Sequence, residues 1–77
     1  MKIHDLKILP EYFEAVKSQK KRFELRKDDR DYQVGDWIRL SEWDNGYTGE
    51  YRTARIKYIL RDCPEYGLKE GYCILGF

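Results

Sequence analysis

Apolar and polar residues alternate at a period of two through most of this chain, and a helical spacing occurs once, near its start. A pleated strand sends successive side chains to opposite faces, so each alternating stretch predicts a strand with one packed side. Ile3 to Ile8 is the first, with His4, Leu6 and Ile8 on one face and Ile3, Asp5 and Lys7 on the other. Pro10 suits the first turn of a helix, Glu11 complements the positive end of its dipole and Lys17 the negative end. Tyr12, Phe13 and Val16 form the apolar stripe, which predicts a helix over about residues 10–18. Lys21 to Lys27 reads as the second strand, with Phe23 and Leu25 inward and Arg22, Glu24 and Arg26 on the other face. Gln33-Val34-Gly35-Asp36 is a turn, and Trp37 to Trp43 a strand with Ile38 and Leu40 on one side. Asp44-Asn45-Gly46 and Thr48-Gly49 mark a hairpin connection. Tyr51 to Arg61 reads as one long strand with Ala54, Ile56, Tyr58 and Leu60 on one face. Cys63-Pro64 breaks it, residues 64–71 form a loop, and Tyr72 to Phe77 is the last strand.

Seventy-seven residues make a single domain over 1–77. A chain this short buries only about 60% of its unfolded surface, so its core must lean on the seven Tyr, three Phe and two Trp. Short strands at this spacing predict an α+β fold: a small mixed β-barrel of about five to six strands with one short helix after the first strand. Closure is expected because it removes exposed edges.

The charge balance of +1, from 15 basic and 14 acidic residues, excludes a protein that binds polyanions through bulk charge. Charge is nevertheless clustered: Lys17, Lys20, Lys21, Arg22, Arg26, Lys27 and Arg30 crowd one stretch. No apolar run approaches the roughly twenty residues of a membrane span, and the chain opens without a hydrophobic leader, so a cytoplasmic protein is expected. Cys63 and Cys73 are expected to be free thiols acting as small hydrophobes. One His and two unpaired Cys do not make a zinc site, and Asp28, Asp29 and Asp31 lack a calcium-loop pattern, so no metal or cofactor is expected.

Candidate function concentrates in Gln19-Lys20-Lys21-Arg22-Phe23-Glu24-Leu25-Arg26. On a strand, Glu24 and Arg26 lie side by side, about 7 Å apart, with Lys21 just ahead of them. Arg26 offers a planar fork for phosphate or a base edge. Glu24 can accept from an exocyclic amine or hold Arg26. Lys21 can contact phosphate, or act as base or nucleophile if burial and neighbouring cations lower its pKa. The same three residues also suit a purely structural ion-pair network. His4 is the second candidate, a general acid or base if its strand face reaches the cleft. Trp37, Arg39 and Trp43 are the third, because a tryptophan beside an arginine could stack a nucleobase; Tyr47 in the hairpin is a further stacking residue.

The octapeptide resembles the Gly-x-Lys-x-x-Glu-x-Arg hallmark of ASCH domains, a branch of the PUA-like β-barrels. Lys21, Glu24 and Arg26 fill the Lys, Glu and Arg positions, and Gln19 stands at the Gly position. His4-x-Leu6-Lys7, Phe23 to Lys27, Asp31 to Asp36 and Tyr72 to Gly76 resemble a small uncharacterised ASCH-like subfamily, so the likeness runs along essentially the whole chain. It implies a PUA-like barrel with a cleft beside the first helix, and RNA or a modified nucleotide as the ligand. In related ASCH proteins that hydrolyse acetylated cytidine, the motif lysine is the nucleophile and a Thr stands where this chain has Glu24. A further Glu comes there from a later helical segment; Glu65 and Glu70, in the final loop here, do not match it convincingly.

Three functions follow as expectations. The first is an RNA- or modified-nucleotide-binding module with a cleft lined by Lys21, Glu24 and Arg26. The second is a small amidohydrolase acting on acetylated cytidine through Lys21, with Glu24 and His4 assisting. The third is a protein-interaction domain using an exposed aromatic face. Gln19 at the glycine position leaves two outcomes: the helix continues through it, or the fold absorbs a strained left-handed residue.

Overall fold

The computed structural model describes residues 1–77 as six strands, an α-helix and one turn of 3-10 helix. The strands are β1 (Ile3–Ile8), β2 (Phe23–Lys27), β3 (Trp37–Trp43), β4 (Tyr47–Arg55), β5 (Tyr58–Leu60) and β6 (Tyr72–Gly76), with α1 (Pro10–Lys17) between β1 and β2. No helix is long and apolar enough to cross a membrane.

The strands form two three-stranded sheets rather than a closed barrel. One has the order β1-β3-β4, with β1 parallel to β3 and β4 antiparallel to it; the other has the order β2-β6-β5, all antiparallel. A parallel pair needs a long crossover, and the segment carrying α1 and β2 supplies it. No strand ladder joins the sheets. Where a barrel would close, side chains from the second sheet's side reach the open edge of β1. Arg26 donates through Nη2 to the Lys7 carbonyl, and Arg30 donates through Nη1 to the Asp5 carbonyl at 2.6 Å. Edge carbonyls that a seventh strand would take are thus satisfied by guanidinium groups, which also blunts the edge.

The core lies between the sheets and under α1. Leu6 and Ile8 from β1, Phe13 and Val16 from α1, Ile38 and Leu40 from β3, and Cys73 and Leu75 from β6 are all buried, joined by Tyr32 and Ile56 from the connections. The expected inward faces of β1 and β3 are those observed. Tyr12 of the helix is exposed rather than part of the stripe, so the packed pair is Phe13 and Val16, one helical turn apart.

Two strand expectations are corrected. The second strand begins at Phe23, not Lys21, and its faces are reversed: Phe23 and Leu25 are 49% and 56% exposed, whereas Glu24 is 6% exposed. The stretch from Tyr51 to Arg61 is not one strand. β4 starts at Tyr47 and ends at Arg55; the chain then steps to the other sheet and resumes as β5. Ile56 donates its N–H to the Asp36 carbonyl and Lys57 donates its own to Gly76, so the backbone changes partners between them. Ile56 stays buried while Tyr58 and Leu60, two and four residues on, face outward.

Asp28 also departs from the expected solvated loop. Its carboxylate accepts from Arg61 at 2.7 and 3.2 Å, tying the β2 end to the loop after β5.

Candidate functional site

The helix end sets the position of the candidate lysine. Ser18 closes α1, and Gln19 follows with φ 65°, in the left-handed region. Gln19 donates its N–H to Val16 and Lys20 donates to Ala15, the paired bonds of a Schellman motif. Lys21 donates to the same Ala15 carbonyl at 3.0 Å. The helix therefore does not continue through Gln19; the fold absorbs a left-handed non-glycine residue, and the chain turns directly into β2 with Lys21 at the corner.

Lys21, Glu24 and Arg26 converge. Lys21 donates through Nζ to Glu24 Oε1 and, at 2.7 Å, to the Phe23 carbonyl. On the other side Arg26 donates through Nε to Glu24 Oε2 at 3.0 Å, with Nη2 2.8 Å from the same oxygen. One buried carboxylate thus holds two cations, and the trio carries a net positive charge. Burial of Glu24 explains the reversed face: a carboxylate can turn inward only where cations meet it, and Lys21 and Arg26 approach from opposite sides. Most of Arg26's fork is spent within the protein, on Glu24 and Lys7.

Lys21 stands on the wall between two hollows. One, of about 370 Å³, is lined by Tyr12, Lys21, Phe23, Glu24 and Leu25. The other, of about 350 Å³, runs between the end of α1 and β4. Six cationic side chains line this groove: Lys17, Lys21, Arg22, Arg52, Arg55 and Lys57. No acidic side chain lines it, although the protein as a whole is nearly neutral. Gln19 and Phe77 complete its floor and rim. Arg22 and Lys57 make no side-chain hydrogen bond or salt bridge and are free to meet a ligand. The sequence pointed to Lys17, Lys21 and Arg22; it did not bring Arg52, Arg55 and Lys57 to them, because these lie some thirty residues on and arrive through the sheet crossing.

His4 does not join the trio. Its Nε2 lies 2.9 Å from Asp36 Oδ2, and its ring meets Tyr32 edge-on at 4.7 Å between centroids. Asp36 also accepts from the backbone N–H groups of Lys2 and Gln33, each at 3.1 Å. These bonds, the His4 one foremost, hold the Asp36 carboxyl at about 2 against the upward push of burial. An ionised carboxylate only accepts, so His4 donates from Nε2. His4, Asp36 and Tyr32 are buried and line none of the surface hollows, so they join the N-terminal strand to the 33–36 turn. Burial also raises the Tyr32 hydroxyl above its ordinary value.

Trp37, Arg39 and Trp43 lie on β3, away from the trio, and each already has a partner. Arg55 sits over Trp37 at 5.6 Å, Lys7 over Trp43 at 4.1 Å, and Arg39 over Tyr51 at 4.3 Å. Trp43 and Tyr47 meet edge-on at 5.0 Å. Arg39, Tyr47 and Tyr51 border a separate hollow of about 310 Å³ that also takes in Asp5 and Glu50. Trp37 reaches the basic groove only through Arg55.

The family model for a domain of unknown function, DUF3850, matches residues 3–77. Over 56 residues, 71% of its length, the chain is 48% identical to the uncharacterised 12.9 kDa protein in the GpA 3′ region of Escherichia phage P2. It spans about half of that relative, 51% of its length.

Proposed function

We propose that this chain, which belongs to the DUF3850 family, is a module that binds RNA or a modified nucleotide through the basic groove at the end of α1. The observation that carries the reading is the groove itself: six cations line it in a protein of net charge +1, and only Lys17 and Lys21 are paired with carboxylates, Glu50 and Glu24, which stand outside the lining. Phosphate binding scales with such clustering rather than with total charge. The ASCH-like Lys21-x-x-Glu24-x-Arg26 pattern supports it, as does a strand-helix-strand order that suits an opened PUA-like arrangement. In this reading Lys21 contacts phosphate from the groove wall, Glu24 orients Lys21, and Arg26 anchors Glu24. Arg22 and Lys57 supply unpaired charge.

Hydrolysis of acetylated cytidine through Lys21 is the weaker reading. Glu24 stands where the related hydrolases have a Thr, and the one helical turn after β5, Pro64–Tyr66, lines neither of the hollows that Lys21 borders, so it brings no further carboxylate to the lysine. Titration of short single-stranded RNA and of nucleotides at rising salt tests the binding reading. Affinity is expected to fall linearly in log–log form, by about 0.7 per phosphate neutralised. Arg22→Ala and Lys57→Ala are each expected to flatten that slope by about one contact's worth, for all sequences alike. Absence of salt-dependent association would end the proposal.

A further inference from the structure

The outer face of the β2-β6-β5 sheet bears a feature that the groove does not use. Gly76 pairs with Phe23 on one side and with Tyr58 on the other. Cross-strand partners point to the same face, so Phe23, Gly76 and Tyr58 form one row, ring–gap–ring. Both rings are exposed, Phe23 by 49% and Tyr58 by 65%. Two strand spacings separate their backbones by about 10 Å. The next row, Leu25, Ile74 and Leu60, is apolar throughout and gives the face an aliphatic floor.

Nothing in the fold requires glycine in the middle of that row. A Cβ at Gly76 would meet only Tyr58, its carbonyl oxygen at 3.5 Å and its Cβ at 3.8 Å, which are ordinary contact distances. Gly76 is also absent from the left-handed residues. A glycine inside a strand loses packing and costs entropy, and it often marks a place where a ligand approaches closely. The row meets the basic groove around the end of the sheet, where the next side chains turn to the opposite face and Lys21 borders both sides. Arg22, Phe77 and Lys57, one residue beyond Phe23, Gly76 and Tyr58, carry the pairing one step further: Phe77 donates to the Arg22 carbonyl and Lys57 to that of Gly76. All three line the groove. Lys21 stands 5.0 Å from the Phe23 ring and lines the groove as well.

The geometry points to a base-stacking slot: Phe23 and Tyr58 flank the bare backbone of Gly76 to receive one nucleobase of a single strand whose phosphates lie in the adjoining groove. This rests on the groove reading and adds to it which part of the ligand is recognised and where. The two rings supply π-faces, Gly76 leaves room between them, and Lys21, Arg22 and Lys57 at the end of the sheet match the phosphates. A lone phosphate would use the groove alone. A single-stranded nucleic acid uses both.

The test compares a single-stranded adenylate octamer, in ribose and deoxyribose forms, with an abasic phosphodiester octamer of equal length at low salt. Tyr58→Ala and Phe23→Ala are expected to weaken the adenylate octamers roughly five- to hundredfold and to leave the abasic strand within about twofold. Tyr58→Phe keeps the ring and is expected to keep the affinity. Gly76→Val fills the gap while retaining both rings; it should lose base-dependent binding with a thermal midpoint at or above that of the unaltered protein, which a merely structural role would not give. Equal affinity for adenylate and abasic strands, or unchanged adenylate binding in these variants, overturns the slot and leaves the groove standing. Failure of both ligands to bind overturns the groove reading and the slot with it. A concentration-dependent dimer dissolved by Tyr58→Ala would assign the face to a second copy and also overturn the slot.

Discussion

At the scale of single residues, two buried carboxylates do different work. Asp36 is a junction: its oxygens take N–H groups from Lys2, His4 and Gln33, and its own carbonyl accepts from Ile56. Its carboxyl titrates at about 2 in the fold and near 3.8 in the unfolded chain. A depressed value means that the unfolded chain takes up the proton first, so the stabilisation is complete above 3.8 and is lost as pH falls toward 2. Asp36→Asn is therefore expected to be less stable than the unaltered protein at neutral pH, and the gap should narrow between those two values. Urea melts at stepped pH measure it, and a gap that stays constant down to the lower value would contradict the assignment. Glu24 instead holds cations. Arg26→Ala strips it of one partner and frees the Lys7 carbonyl at the edge of β1, an expected loss of about 2 kcal/mol. Arg22→Ala, which breaks no internal contact, should stay within about 0.5 kcal/mol. Chemical denaturation of the pair separates the cation that builds the fold from the one left for a ligand.

Among the elements, the turn from α1 into β2 carries both a cost and a consequence. A left-handed Gln19 is strained by roughly 1 kcal/mol. Gln19→Gly relieves the strain but adds freedom to the unfolded chain, so a net gain of about 0.5 kcal/mol is expected in a denaturant melt. A loss of stability would show that the Gln19 side chain contributes more in the groove than its backbone costs. This turn also marks how far the sequence could be read. The periods in β1, α1 and β3 identified those elements, and the Lys21, Glu24 and Arg26 grouping was visible in their spacing. Alternation tells which residues share a face, but not which face turns inward. Three charged residues against two apolar ones favour the solvated choice for β2, and what reverses it is the pairing of the Glu24 carboxylate with Lys21 on one side and Arg26 on the other. In the same way Ala54, Ile56, Tyr58 and Leu60 alternate without interruption across a change of sheet. That step depends on Asp36 and Gly76, partners distant in sequence. The basic groove was illegible for the same reason, since half of its cations come from beyond β3.

For the whole molecule, the question is whether two sheets joined by side chains and one core unfold as one body. Leu6, Ile38 and Leu40 from one sheet and Cys73 and Leu75 from the other belong to a single buried cluster, which argues that neither sheet survives the loss of the other. The cysteines offer a direct test. Cys63 is half-buried, whereas Cys73 is fully enclosed on β6, and burial, reinforced by Asp28, pushes its thiol above the ordinary value. The thiolate is the reactive form, so Cys73 should be inert to an aromatic disulfide reagent until the core opens, while Cys63 reacts in the native state. Ile38→Val removes one methylene from the opposite sheet and should cost about 1 kcal/mol. If the molecule opens as a unit, that change speeds Cys73 labelling about fivefold under conditions where reclosing outpaces reaction, although Ile38 lies in a different sheet. Labelling of Cys73 indifferent to Ile38→Val would mean that the β2-β6-β5 sheet detaches alone, and that the Arg26 and Arg30 bridges to β1 are a hinge rather than a seam.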